Sequence, residues 1–173
     1  MNACYNLIVR DWLKEVVYGR NEVVYMADSW IDSGGQGLFA KRRLPEGIVV
    51  CSYVGYVKRT VDALRTEDKS YLMRLGEQVY VDSRESLFCS ARYINDCRNP
   101  AGHNVRFDKR PKDACALVVT TRDIGAGEEL FVDYGKWYWN SGQPSTRLSF
   151  GHLRALRGAV APDQLEGYSK TPR

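Results

Sequence analysis

The chain has 173 residues, of which 44% are hydrophobic and 27% are charged, and its formal net charge is +4. This composition predicts one folded domain with a sizeable core and excludes a disordered chain. Apolar runs such as residues 48–50 and 116–119 are far shorter than the ~20 residues of a membrane span, and a charge this mild does not by itself indicate a nucleic-acid-binding surface.

The first part of the chain predicts one helix followed by short strands. Apolar residues recur every three or four positions between residues 5 and 16, which predicts an amphipathic helix that ends near Gly19. A glycine-rich loop is expected at residues 34–37. Runs of β-branched and aromatic residues predict strands at residues 22–27, 38–40 and 48–54.

The rest of the chain continues this pattern of short strands. The polar segment 62–69 is expected to be helix or loop, and helical spacing of apolar residues predicts helices at 83–93 and 148–156. The tail after residue 158 is expected to be loose. Further strands are predicted at residues 71–75, 78–82, 114–121 and 130–132. Many short strands with few helices predict a mostly β fold.

Cysteine and histidine usage argues against disulfides and metal sites. The five cysteines, at positions 4, 51, 89, 97 and 115, are odd in number and include no Cys-x-x-Cys pair. Neither His103 nor His152 lies at a ligand-like spacing from a cysteine. We therefore expect free, mostly packed thiols and no structural metal. With no secretory signal visible near Met1, this predicts an intracellular protein.

Three segments carry residues suited to a ligand site. In the run Gly-Gln-Gly-Leu-Phe-Ala at 35–40, two glycines allow the main chain to approach a ligand closely. In Ala-Arg-Tyr-Ile-Asn-Asp-Cys at 91–97, Asn95 can both donate and accept hydrogen bonds. In Gly-Glu-Glu-Leu-Phe-Val-Asp-Tyr-Gly at 127–135, Tyr134 could place its hydroxyl in a cleft. Taken singly, each segment is more often a turn or a packing element than a site.

The order and spacing of these three segments resemble the SET domain over residues 20–140. Tyr53-Val54-Gly55 and Val81-Asp82 fit the same family pattern. The resemblance implies a mostly β fold (α+β by count) of small curved sheets, in which the C-terminal segment threads through a loop as a pseudoknot. It divides the chain into an N-terminal helix, a SET domain and a C-terminal extension that is partly helical and then loose, at residues 1–20, 21–140 and 141–173.

The resemblance also implies a site for S-adenosylmethionine (SAM) and for a substrate lysine. Tyr134 and Tyr71 would be the catalytic tyrosines, and Val132 would line the lysine channel together with Tyr71. S-adenosylhomocysteine would be the product, and no metal is required. The cofactor-binding residues implied are Gly35, Gln36, Gly37, Tyr71, Arg92, Asn95, Asp96, Tyr134 and Trp139.

Three departures from the family pattern bear on this site. Asp96 stands where the family usually has histidine after the asparagine. Val132 stands where the family usually has phenylalanine or tyrosine, which predicts a roomier pocket that permits di- or trimethylation. No cysteine follows Cys115, where many histone-directed members carry a zinc-binding cluster. The aromatic residues 137–139 are therefore the candidates to close the SAM site, and a ring such as Trp139 could stack on adenine or pack in the core.

The function implied is that of a SAM-dependent protein-lysine N-methyltransferase that acts on a histone tail in the nucleus. Two alternatives stay open: a methyltransferase for a non-histone protein, which could be cytoplasmic, and a catalytically inactive SET module that binds partners. No direct nucleic-acid site or membrane contact is expected. The target lysine and the oligomeric state are not indicated by the sequence.

Overall fold

A computed structural model describes residues 23–32, 34–140 and 147–148. The predicted N-terminal helix lies outside the described residues, as do the loose tail and most of the predicted final helix. The strands in the described part are β1 (Val24–Asp28), β2 (Ile31–Asp32), β3 (Gln36–Ala40), β4 (Val49–Tyr53), β5 (Tyr56–Arg59), β6 (Leu72–Arg74), β7 (Val79–Asp82), β8 (Val105–Arg110), β9 (Cys115–Thr120) and β10 (Arg147–Leu148). The helices there are α1 (Thr60–Arg65), α2 (Lys136–Asn140) and the 3-10 helices Ser90–Tyr93 and Pro111–Asp113.

The strands form four small antiparallel sheets instead of one continuous sheet. β1 pairs with β3, and β2 pairs with β10. The two larger sheets have three strands each, in the orders β4-β9-β8 and β5-β7-β6. The predicted mostly β fold of small sheets is therefore confirmed.

Strand β9 lies at the centre of the main core. All six of its residues are buried, because β4 and β8 pair with its two edges and apolar side chains cover its faces. A run of β-branched and small apolar residues suits such a position. The sequence predicted this buried strand within one residue at each end.

The segment 129–132, which we call the crossing segment, pairs with two parts of the chain that are distant in sequence. Leu130 donates its main-chain N–H to the carbonyl of Leu38 at 2.8 Å. Val132 donates to the carbonyl of Asn95 at 3.0 Å, and the pairing beside Asn95 is parallel. The crossing segment thereby joins the predicted glycine loop, the asparagine segment and the tyrosine segment, as a pseudoknot requires.

A buried asparagine fixes the other side of the crossing segment. The side chain of Asn104 accepts from the N–H of Phe131 at 2.8 Å and donates to the carbonyl of Glu129 at 2.8 Å. Its main-chain N–H donates to the carbonyl of Phe131 at 3.0 Å. Asn104 has no exposed surface, so these bonds satisfy polar groups that would otherwise be buried without partners.

Three predicted elements differ in the structure. The predicted helix at 83–93 is wrong over most of its length, because turns lead to a short 3-10 helix and Leu87 is 69% exposed. Residues 130–132 pair through isolated bridges and single hydrogen bonds instead of a strand ladder. Leu148, the predicted start of a helix, lies in β10.

Besides the two-residue strands β2 and β10, two longer strands were not predicted, and both carry charged residues. β5 is largely exposed, and β8 lies at the edge of its sheet. Mixed polar composition of this kind gives no clear strand pattern in a sequence.

The four described cysteines are buried and free, as expected; Cys4 lies outside the described residues. Among the described residues, no helix is both long and apolar enough to cross a bilayer.

Gly55, between β4 and β5, is expected to tolerate no side chain. A Cβ there would overlap the main-chain carbonyl of Asp82, which cannot move without disturbing β7. We expect Gly55→Ala to lower the free energy of unfolding by about 1–3 kcal/mol, measured by urea denaturation. Gly125→Ala is the matched control, because its Cβ would meet its nearest neighbour, the Glu128 carboxylate, at an ordinary 3.8 Å. Equal stability of the two variants would contradict the prediction.

Candidate active site

The asparagine segment and the glycine loop are joined directly by one side chain. The amide nitrogen of Asn95 donates to the main-chain carbonyl of Gln36 at 3.0 Å and to the hydroxyl of Ser29 at 3.1 Å. It also lies 3.3 Å from a carboxylate oxygen of Glu129. The amide nitrogen is thereby committed to the fold, and none of the described residues donates to the amide oxygen. That oxygen is left as an acceptor for a ligand.

A buried carboxylate lies behind this loop. Glu129 has no exposed surface and accepts hydrogen bonds from the hydroxyl of Ser29 at 2.7 Å and the N–H of Trp30 at 2.6 Å. Burial raises the pKa of Glu129, and the bonds from Ser29, Trp30 and Asn95 only partly offset that effect. A Cβ at Gly37 would overlap the carboxylate. An alanine at position 37 would therefore have to displace this hydrogen-bonded carboxylate, so packing favours glycine there in addition to any role in ligand binding.

The main-chain conformation at Gly35 explains why this position of the loop is a glycine. Its φ is +63°, a left-handed conformation that side-chain-bearing residues seldom adopt. Apart from its chain neighbours, no atom of the described residues lies within 4 Å of where its Cβ would be, so the described part of the chain leaves this side of the loop open. A ligand can approach the main chain there closely.

The tyrosine segment brings Tyr134 against the asparagine segment. The hydroxyl of Tyr134 donates to the carbonyl of Ile94 at 2.7 Å. Burial, together with nearby acidic groups, raises the pKa of Tyr134 well above its ordinary value. The phenol therefore stays neutral over the physiological range, and because its hydrogen is used by Ile94, its lone pairs remain as acceptors.

Aromatic rings surround Tyr134. The ring of Tyr138 lies edge-on at a centroid distance of 4.5 Å, and the ring of Trp139 is stacked at 6.0 Å. Tyr53 and Tyr71 lie close enough to add to the rise in the Tyr134 pKa, and the hydroxyl of Tyr53 donates to the carbonyl of Tyr71 at 2.7 Å. Tyr71, the other tyrosine of the predicted pair, is therefore near enough to Tyr134 for their charges to interact, and Tyr53 is bonded to its main chain.

Arg92 supports Tyr71 from a different direction. The guanidinium carbon lies 4.3 Å from the centroid of the Tyr71 ring. Its nitrogens donate to the carbonyls of Ser83 and Arg84 and to the hydroxyl of Tyr93, at 3.1, 3.0 and 3.1 Å. The predicted contact between Arg92 and the cofactor stays a prediction, whereas its part in holding Tyr71 is visible in the structure.

The carboxylate of Asp96 accepts four hydrogen bonds. One oxygen accepts from the main-chain N–H of Arg98 at 2.7 Å and from the ring of His103 at 2.8 Å. The other accepts from the main-chain N–H of Tyr134 at 3.0 Å and from the indole N–H of Trp139 at 2.8 Å. Asp96 thereby joins its own loop to the tyrosine segment and to α2.

The charges of Asp96 and His103 stabilise one another. Burial opposes ionisation of Asp96, but hydrogen bonds led by that from His103 outweigh it and lower the pKa of the carboxyl. Burial also opposes protonation of His103, but the bond to Asp96 and the nearby Cys97 outweigh it and raise the pKa of the ring to about 9. At neutral pH the two side chains form an ion pair at 2.8 Å.

Comparison with known families decides the identity of the fold. A family model described as the SET domain matches residues 35–135, which is more than half of the 173 residues. The chain belongs to the SET-domain family. The match begins at the glycine loop and ends after Tyr134, so it includes all three segments that meet in the structure.

Curated SET-domain relatives are similar over part of their length. "Histone-lysine N-methyltransferase EHMT1" of Homo sapiens is 30% identical over 154 residues, which cover 76% of this chain and 11% of that protein. "Histone-lysine N-methyltransferase trr" of Drosophila melanogaster is 37% identical over 120 residues, which cover 64% of this chain and 5% of that protein. The chain therefore spans only a small part of the length of the relatives that it matches.

Several residues of this SET-domain site were not identified from the sequence. Tyr53 was noted only as part of a motif, Tyr138 only as one candidate to close the site, and Glu129 only within a motif. His103 was considered only as a metal ligand. The signal that could have found Tyr138 is its position four residues after Tyr134, which places both on one face if a helix follows. The prediction for Trp137 concerns a side chain outside the described part of the chain.

The ion pair predicts how stability depends on pH. The pKa of His103 is about 9 in the folded protein and about 6.5 when unperturbed. Because the folded pKa is the higher one, the ring stabilises the fold fully below pH ~6.5 and loses this effect as pH rises through ~9. We expect His103→Gln to lower the free energy of unfolding at pH 6.5 and to flatten its decline between pH 7 and 10.

Urea denaturation of both proteins across that pH range measures the effect. Only the difference between the two curves is diagnostic, because other groups also titrate there. Two parallel curves would mean that His103 does not change its proton affinity on folding.

Proposed function

We propose that this SET-domain protein is a SAM-dependent protein-lysine N-methyltransferase. The observation that carries the proposal is the position of the neutral Tyr134 hydroxyl, 2.7 Å from the carbonyl of Ile94, within a cluster of aromatic rings. The amide oxygen of the neighbouring Asn95 accepts no hydrogen bond from the described residues, and the Asn95 amide nitrogen is bonded to the glycine loop. The hydroxyl oxygen of Tyr134 and the carbonyl oxygen of Ile94 thus lie among aromatic rings, next to the proposed cofactor site. This arrangement suits the transfer of a methyl group to an amine.

The proposed cofactor site uses main-chain groups of the glycine loop and the side chain of Asn95. The amide oxygen of Asn95 is the group suited to accept from an ammonium, such as that of the methionine part of SAM. The open space at Gly35 allows the loop to lie against that part of the cofactor. The remaining contacts, to Asp96 through its main chain and to Tyr71, Arg92, Tyr134 and Trp139, are proposed from the family resemblance.

SAM, when bound, would supply a methyl group that is activated by attachment to a positively charged sulfur. The oxygens of Tyr134 and Ile94 can accept weak C–H···O contacts from such a polarised methyl group and so orient it. They also stabilise positive charge near the reacting atoms. Holding the reactants in line accounts for much of the acceleration, with effective molarities that can reach roughly 10⁵ M or more.

The aromatic side chains of the site would favour the neutral form of the substrate amine. A lysine amine attacks only when neutral, and its unperturbed pKa is about 10.4. Rings of Tyr71, Tyr134 and Tyr138 would exclude water from the inserted side chain, which disfavours the ammonium form and lowers the pKa of the amine. The tyrosines themselves are not expected to act as bases, because burial keeps the pKa of Tyr134 high.

We further propose that the substrate is a histone tail and that the protein acts in the nucleus. The support is the function for which the relatives are named, that of histone-lysine N-methyltransferases. The net charge of +4 gives no independent indication of the substrate.

Calorimetric titration with SAM and a methylation assay on core histones together test the proposed function. We expect micromolar SAM binding that Asn95→Ala reduces at least tenfold, because the variant removes the acceptor amide. We expect Tyr134→Phe to retain binding but to lose most methyl transfer. Gln78→Ala, an amide removed from an exposed position, is the control. A folded protein that binds no SAM would contradict the proposal and favour a non-catalytic SET module.

Val132 is expected to set how many methyl groups are added. It is 2% exposed and lies two residues before Tyr134, where its small side chain would leave room for a methylated amine. We expect the wild-type protein to form di- or trimethyllysine and Val132→Phe to stop at monomethyllysine, as measured by mass spectrometry. Val132→Leu serves if the larger ring disturbs folding. A wild-type protein that yields only monomethyl product at long times would contradict the prediction.

A further inference from the structure

We propose that the carboxylate of Asp96 is a positioning residue that fixes Tyr134 and α2 in the geometry required for methyl transfer. The proposal rests on the function proposed above, but it concerns a different part of Asp96 from the main-chain contact with SAM. Both oxygens of its side chain are engaged by the protein, because four described residues donate hydrogen bonds to them.

The number of donors requires a carboxylate at position 96. Each oxygen of Asp96 accepts two hydrogen bonds, and the four donors come from Arg98, His103, Tyr134 and Trp139. Asparagine has a single oxygen acceptor, and a neutral histidine has a single acceptor nitrogen. Either substitution would leave partly buried N–H groups without partners, so the surroundings of position 96 suit aspartate in place of the family histidine.

Charge balance makes this arrangement stable. Asp96 is 3% exposed, and a buried carboxylate is costly unless it is paired and hydrogen-bonded. His103 supplies the paired positive charge at 2.8 Å. The guanidinium carbon of Arg98 lies 4.5 Å from the centroid of the Trp139 ring. Trp139 therefore makes a cation–π contact in addition to its hydrogen bond to Asp96.

Helix α2 needs such support because it has only five residues. Isolated helices of this length are not stable in water, so its placement depends on tertiary contacts. Asp96 binds the indole of Trp139 and the main chain of Tyr134, and the rings of Tyr138 and Trp139 are 5.1 Å apart. Through these contacts Asp96 determines where the ring of Tyr138 lies against Tyr134.

The test compares Asp96→Asn with Trp139→Phe. The first keeps the shape of the side chain but loses one acceptor oxygen, and the second keeps an aromatic ring but loses the indole donor. Asp123→Asn is the control, since this aspartate accepts from Arg43 and from the N–H of Glu46 at an exposed position away from the tyrosine cluster.

We expect Asp96→Asn to lower kcat for methyl transfer about 10- to 100-fold, as displacement of reacting groups by about 1 Å can do. The KM for the peptide should change less than threefold, and the control should match the wild type. The double variant should lose no more than Asp96→Asn alone, because both substitutions break the same hydrogen bond. An unchanged kcat in both single variants, whatever their thermal stability, would overturn the proposal.

The indole N–H resonance of Trp139 in a proton–nitrogen NMR spectrum gives a second readout, assigned by its loss in Trp139→Phe. We expect it to move upfield in Asp96→Asn, because the bond to a carboxylate is broken. If the wild-type protein transfers no methyl group at all, the proposed function fails and this resonance still decides. A shift supports the positioning of α2 by Asp96, and an unchanged resonance overturns it.

Discussion

The crossing segment is the constraint on which the rest of the structure depends. Its main chain is hydrogen-bonded to Leu38, Asn95 and Asn104, which belong to three parts of the chain that are distant from it in sequence. Its side chains alternate between two clusters: Leu130 and Val132 pack in the main core, and Phe131 packs with Ile31 and Cys97. Tyr134 follows two residues after the segment ends, so the position of its hydroxyl is fixed by pairing that begins several residues earlier.

Two buried carboxylates, one in this segment and one in the asparagine segment beside it, behave in opposite ways. Glu129 is surrounded by the neutral donors Ser29, Trp30 and Asn95, so burial prevails and the pKa of its carboxyl is raised. Asp96 is paired with the cationic ring of His103 and accepts three further bonds, so the pKa of its carboxyl is lowered despite burial. The charge of the hydrogen-bond donors, more than the depth of burial, therefore decides which of the two carboxyl groups has the lower pKa.

The sequence was informative where the signal is local. The buried strand β9 and the strand β4 follow from runs of β-branched residues, and the three ligand-site segments follow from their order and spacing. What could not be predicted depends on contacts between distant residues. Nothing near Asp96 in the sequence indicates that Trp139 donates to it, and the spacing of Leu87 imitates a helix that the fold does not form. The cofactor roles of the individual residues stay predictions.

The crossing segment also has a consequence for how the protein is made. Its partners at Leu38, Asn95 and Asn104 are all synthesised before it, and none of them can complete its pairing alone. A growing chain that has reached only residue 128 must therefore leave the apolar surfaces meant for Leu130, Phe131 and Val132 uncovered. Folds completed by such long-range pairing form slowly, and their exposed surfaces favour aggregation. We expect a nascent chain of this kind to depend on chaperones until the crossing segment has left the ribosome.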